Sequence, residues 1–200
     1  MKYLTIVTNF EGPDIGVPLT KLSSLDMLKA AAQFEKAKAV RVTGGSDPLF
    51  EYEKHQKYFQ RLFRACREID IPVELETTCI ESEFPYRKCS RVIYHLNDFD
   101  KLATIVRHGQ EIVRVVFVVD KSCTLDLIDK VTVFCDASDI IDELHFRVKY
   151  EDKGSGLAKC CREYLSKEHD GSWRFVDKFE ESPPYFVNGE IRYHWSDIFG

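Results

Sequence analysis

The sequence has no recognisable metal-binding cysteine motif. Its seven cysteines (Cys66, Cys79, Cys89, Cys123, Cys135, Cys160 and Cys161) never fall in CxxC or CxxxCxxC spacing. An odd, scattered set of this kind argues against a zinc site or a disulfide framework and reads as reduced structural thiols. Long apolar runs are also missing: none approaches the about 18 residues that cross a bilayer. The opening stretch MKYLTIVTNFEGPD turns polar too early for a secretory signal, so the expectation is a cytoplasmic protein without a membrane partner. Positive charge is in deficit, 28 Lys and Arg against 33 Asp and Glu with a net charge of −5. That balance excludes a nucleic-acid surface built on bulk electrostatics. Repeats, low-complexity segments and linkers are absent too, and 200 residues with 44% hydrophobic content suffice for one core. A single domain over 1–200 is expected.

What is present is hydrophobic periodicity that switches between two and three-to-four residues, the pattern of strands interleaved with helices. Strands are expected at Tyr3 to Thr8, Val40 to Thr43, Ile71 to Thr77, Arg91 to Leu96, Ile112 to Val119 and Leu144 to Tyr150. Helices are expected over SSLDMLKAAAQFEKA, capped by Ser23 or Ser24 with Leu25, Leu28, Ala32 and Phe34 inward, and over EYEKHQKYFQRLFRACREI, with Tyr52, Phe59, Phe63 and Cys66 inward. Further helices are read at Phe99 to Arg107, LDLIDKVTVFCDA and GLAKCCREYLSKEH. The tail then changes character. WRFVD and YFVNGEIRYHW read as antiparallel, with Asn188-Gly189 as a hairpin turn. The fold class is α/β: a partial (β/α)6 TIM-like barrel of parallel strands at 1–150, followed by a C-terminal helix and antiparallel hairpin at 151–200.

Strand parity adds a second feature. Strands covered by helices on both faces are almost wholly apolar, and these are not. Alternation puts His145, Arg147 and Lys149 on one face of the sixth strand, and Glu74, Glu76 and Thr78 on one face of the third; Arg41 and Thr43 share a face of the second. One reading is a barrel with a wet, charged interior in which the glutamates offset Arg41, Arg147 and Lys149. The other is a sheet with helices on one side and solvent on the other.

The most particular stretch is VRVTGGSDPLF, Val40 to Phe50, where a strand ends in two glycines, a serine, an aspartate and a proline before a helix. The C-terminal edge of a parallel sheet is where such folds present backbone to ligands, and glycine lets a ligand approach closely. Asp47 can hold a cation there. An ordinary tight turn capped by Asp47 is the plainer reading.

The succession VRVTGGSDPLF, helix, IPVELETT resembles the second and third strands of the radical S-adenosylmethionine (SAM) enzymes, whose glycine motif is written TGGEP or TGGGEP. RVIYHL, VVFVV and ELHFRVKY look like later strands of the same partial barrel, so the resemblance covers residues 1 to 150. It implies SAM as a cofactor, with Thr43, Gly44, Gly45, Ser46 and Asp47 at its methionine moiety and Glu76 or Thr78 near its ribose. It also implies a CxxxCxxC motif after the first strand, and here that loop reads NFEGPDIGVPLTKL without a cysteine. Carboxylates such as Glu11 and Asp14 are poor substitutes for soft thiolates. The expectation is therefore a degenerate member without an iron-sulfur cluster and without bound metal.

Three functions are compatible with this. The first is a binding or regulatory protein for SAM, a nucleotide or another anionic small molecule, alone, as a homodimer or with a protein partner. The second is a non-radical enzyme using Glu74, His95 and His145 as acid-base groups and Arg41, Arg147 and Lys149 to hold an anionic substrate. The third is a radical SAM enzyme with atypical cluster ligands, for which Cys79, Cys89 and Cys123 are the candidates. Structural histidines and core thiols are the plainer reading of these residues. Lys54, Lys57, Arg61 and Arg64 read as a solvated helix face before an anionic docking surface, the vicinal pair Cys160 and Cys161 as one core and one peripheral thiol, and Tyr185, Tyr193 and Trp195 as a cover for core.

Overall fold

Runs rich in β-branched residues between glycine- or proline-bearing turns form the strands of the computed structural model. It describes residues 2–10, 16–149, 152, 156, 159, 173–176 and 184–199. The strands are β1 (Tyr3–Thr8), β2 (Ala39–Gly44), β3 (Val73–Thr77), β4 (Arg91–Leu96), β5 (Ile112–Val119), β6 (Glu143–Val148), β7 (Trp173–Val176), β8 (Tyr185–Val187) and β9 (Glu190–Arg192). Between them lie α1 (Leu28–Phe34), α2 (Tyr52–Glu68), α3 (Phe99–Leu102) and α4 (Leu125–Asp136). The fold class is α/β, a mostly parallel succession of strands and helices with a C-terminal antiparallel pair, in keeping with a partial barrel.

The chain divides into two compact units: Met1–Val92 with Gly109–Glu111 and Glu180–Gly200, and Ile93–His108 with Ile112–Phe179. In the first, β3, β2, β1, β8 and β9 lie side by side in that order. β1 is parallel to both β2 and β8, β2 is parallel to β3, and β8 and β9 run antiparallel. Its core combines Leu4, Ile6, Val40, Val42 and Leu75 of the sheet with Leu62, Phe59 and Cys66 of α2. Phe10, Tyr52, Tyr58, Phe59, Phe84 and Tyr86 add a chain of edge-to-face and tilted rings. In the second unit β5, β6 and β7 are parallel neighbours around Val115, Phe117, Leu144 and Phe146, with Ile128 and Val131 of α4 also buried. Among the described residues no helix is long and apolar enough to cross a membrane.

Several expectations are corrected here. The WRFV part of WRFVD forms β7, which is parallel to β6, and β8 is parallel to β1, so among the described residues the antiparallel tail shrinks to one hairpin. Asn188 and Gly189 do make its turn, with φ of 47° and 94°. The first helix starts as a 3-10 segment, Leu22–Met27, and neither Ser23 nor Ser24 caps it: Ser24 Oγ donates to the Lys21 carbonyl instead. Phe34 is 74% exposed because α1 ends there and Lys36 turns left-handed at φ 51°. The helix expected to reach Arg107 stops at Leu102, and β6 stops at Val148. The helix over GLAKCCREYLSKEH, Cys160 and Cys161 included, lies almost wholly outside the described residues.

Candidate functional site

Three strand exits build the candidate site in the first unit. β1 ends in Thr8, Asn9 and Phe10, all buried. The Thr8 hydroxyl donates to the Thr43 carbonyl at 3.1 Å, and the Thr8 carbonyl accepts Gly45 N–H at 2.7 Å and Ser46 N–H at 3.4 Å. The buried Ser46 hydroxyl accepts Phe10 N–H at 3.0 Å. The turn after β2 is thus fastened to the end of β1 on both of its arms.

Gly44 is required by the turn itself. A Cβ there would lie 1.4 Å from the Ser46 carbonyl oxygen, far inside contact distance, because the chain folds back over its own Cα. Gly44 and Gly45 are half-exposed while Ser46, Pro48 and Leu49 are buried, so what this corner leaves accessible is peptide backbone. Pro48 does not open the helix directly; it enters a turn that leads to α2 at Tyr52.

Asp47 spends its carboxylate on the protein. Oδ1 accepts the Thr77 hydroxyl at 2.7 Å and Leu49 N–H at 2.8 Å, and Oδ2 accepts the Thr78 hydroxyl at 2.8 Å and Thr78 N–H. Four donors fill the usual capacity of a carboxylate, so Asp47 is a strut between the exits of β2 and β3. Thr77 was missed by sequence reasoning, and the LETT spelling at the end of β3 was its signal. Asn9 is the other residue that went unnoticed. Its amide donates to the Val17 carbonyl at 2.7 Å, and its buried Oδ1 has no donor among the described residues.

The polar face of the same sheet holds a compact charge network. Arg41 lies opposite Glu74 in register. Glu74 Oε2 accepts Arg41 Nε and Nη2 at 3.3 and 3.1 Å, while Oε1 accepts Arg91 Nη1 at 2.6 Å and the Tyr3 hydroxyl at 3.3 Å. Arg41 also pairs with Glu76 at 3.5 Å and stacks its guanidinium 3.9 Å over the Tyr3 ring. Burial opposes the Arg41 charge, but Glu76 and Glu74 beside it outweigh that and raise its pKa. Two arginines and two glutamates cancel, so the network is internally neutral. Arg91, the first residue of β4, was not foreseen as a member, since only His95 was singled out among the polar residues of that strand.

The other expected site residues are divided between the two units. Glu76 is half-buried and Thr78 exposed at the end of β3. His95 on β4 is half-buried and His145 on β6 is buried, both in the second unit. Arg147 is half-buried on β6. Lys149, expected on the same polar strand face, is exposed beyond the strand's end, where its charge helps lower the pKa of Asp120 after the larger effect of the Ser122 hydroxyl and amide.

Of the described thiols, Cys66, Cys89, Cys123 and Cys135 are buried and Cys79 is half-buried. Burial pushes Cys66 and Cys135 up to about 12 and raises Cys89 and Cys123 as well, so these four are held as neutral thiols. No group of three His, Cys, Asp or Glu among the described residues is arranged to hold a metal ion.

No family model matches the chain, and no curated protein matches it either. Solved structures do. The Streptococcus suis SuiB structure bound to S-adenosylmethionine is 16% identical with a TM-score of 0.56, covering 87% of this chain and 47% of that one. SuiB bound to precursor peptide SuiA is 15% identical with a TM-score of 0.55, covering 88% and 49%. The chain therefore spans about half the length of the structures it matches. At this identity the likeness establishes the fold alone, and that fold is radical-SAM-like.

Proposed function

We propose that this chain is a cluster-less radical-SAM-like protein that binds SAM or a related anionic nucleotide at the exits of β1 to β3, in a binding or regulatory role. The observation that carries the reading is the corner at Thr43, Gly44, Gly45 and Ser46. Its backbone is accessible, and protein contacts from β1 and β3 fix it before any ligand arrives, so little ordering cost falls on binding. Asn9 Oδ1 supplies a buried acceptor in the same elbow, which suits the ammonium group of a methionine moiety. Glu76 and Thr78, at the end of β3, are the residues available to ribose. Asp47 acts by holding the corner and leaves ligand contact to the backbone.

The likeness to a SAM-bound structure supports the choice of ligand, and the missing cysteines in NFEGPDIGVPLTKL support a role without cluster chemistry. Calorimetry with SAM and S-adenosylhomocysteine tests the proposal. Binding of either, lost in Gly44→Val, is expected; a wild-type protein that binds neither overturns it. A second reading, a peptide partner, rests on the comparable likeness to the peptide-bound structure.

A further inference from the structure

The segment that follows the first strand is held from an unexpected quarter. Asn188, in the hairpin turn between β8 and β9, sends its side-chain amide back over 167 and 169 residues of sequence to Lys21 and Leu19. Its Oδ1 accepts Lys21 N–H at 3.0 Å and its Nδ2 donates to the Leu19 carbonyl at 2.8 Å. One amide thereby satisfies a backbone donor and a backbone acceptor two residues apart, as a neighbouring strand would. The same segment is gripped twice more. Val17 is buried in a cluster with Val7, Tyr185, Val187 and Ile198, and the Phe199 ring lies 3.3 Å from where a Cβ on Gly16 would stand.

From this segment the contacts run on to the glycine corner without a break. Thr20 N–H donates to the Asn9 carbonyl at 2.9 Å, and the Thr20 hydroxyl accepts Asn9 N–H at 2.7 Å. The next residue, Phe10, gives its N–H to Ser46, and Thr8 carries Gly45. We infer that the C-terminal hairpin is a positioning strap: through Asn188 it fixes residues 16 to 21, and through them the exit of β1 and the Gly44-Gly45 corner. A hairpin that merely shielded core would need its apolar residues, but not a side-chain amide spending both of its functions on the backbone of a distant loop.

The strap is independent of the ligand, so its test contains none and its failure is distinct from that of the proposed SAM site. Asn188 sits at φ 47° in a two-residue turn, a conformation that glycine also adopts readily, so Asn188→Gly keeps the hairpin and removes only the amide. Hydrogen exchange of the intact chain is the measurement. Expected in Asn188→Gly is exchange about tenfold faster at the amides of Lys21, Asn9, Phe10 and Gly45, with those of β8 and β9 unchanged. Asn188→Asp keeps the acceptor for Lys21 and loses the donor to Leu19, so Lys21 recovers most of its protection. Faster exchange at Lys21 alone, or no change in Asn188→Gly, overturns the inference. Should the hairpin itself loosen in the glycine variant, the aspartate variant decides: Lys21 exchanging as fast there as in the glycine variant refutes the strap.

Discussion

Arg41 and Glu74 face each other across β2 and β3 in the first unit, and Arg114 and Glu143 do the same across β5 and β6 in the second. Both pairs are ion-paired, yet the glutamates live differently. Glu74 is 4% exposed and serves Arg41, Arg91 and Tyr3, whereas Glu143 keeps 24% of its side chain in solvent beside Arg114. The strand-exit aspartates repeat the contrast. Asp47 after β2 reaches across to Thr77 and Thr78, while among the described residues Asp120 after β5 takes its hydrogen bonds from its own turn, from Ser122 and Cys123. Residue type and topological place are the same in each comparison; burial and the reach of the partners decide whether the side chain organises the sheet or finishes a loop.

The largest effect that can test this contrast is at Glu74. Glu74→Ala leaves two half-buried guanidiniums without their shared partner and is expected to cost about 3–5 kcal/mol, against about 1 kcal/mol for Glu143→Ala, measured by urea unfolding. Equal losses would dissolve the distinction between hub and peripheral pair. Asp47→Ala comes next, at about 2–4 kcal/mol for four lost bonds, while Asp120→Ala should stay within about 0.5–1 kcal/mol. Gly44→Ala sharpens the picture of the first exit: its methyl forces the turn open, at about 1–3 kcal/mol by thermal denaturation. The equivalent change at an exposed position of the Asp120 turn, Lys121→Ala, should be near silent.

The smallest effect concerns pH. Tyr193 donates its hydroxyl to the buried Glu35 carboxylate, which also pairs with Lys2, and this bond raises the Tyr193 pKa above its ordinary value of 10.0. The folded state holds that proton more tightly than the unfolded one. The contribution is complete below pH 10 and is lost as pH climbs through the raised folded value. Unfolding midpoints followed from pH 9 upward should therefore fall more steeply in the wild type than in Tyr193→Phe; parallel curves would show that the bond carries no weight.

Much of the alternation was legible because each strand is short and bounded by turn residues. Arg91 to Leu96 and Ile112 to Val119 are strands with those limits, and Asn188-Gly189 turns as its spelling requires. What could not be read was the direction of isolated strands. Nothing in WRFV states whether its four residues run with or against β6, since direction depends on the crossover before it. The helix expected to Arg107 ends at Leu102, and Arg107 instead reaches the Ile140 carbonyl and the Asp142 carboxylate, a contact 33 to 35 residues away that no local pattern carries. At the candidate site the glycines were visible, but their reason was not. Gly44 is bare because the turn folds over it, and Asp47 faces Thr77 and Thr78, relations that exist only after β1, β2 and β3 are side by side.

The parallel pairing of Thr5 with Tyr185 has a consequence for the chain as it is made. Synthesis at about 5–20 residues per second leaves some ten to forty seconds between the emergence of the two partners. Throughout that interval the outer backbone of the first strand is an unpaired edge, open to other nascent chains. Conditions that slow translation of the last third should therefore favour aggregation or chaperone capture, even though the finished protein offers no such edge there.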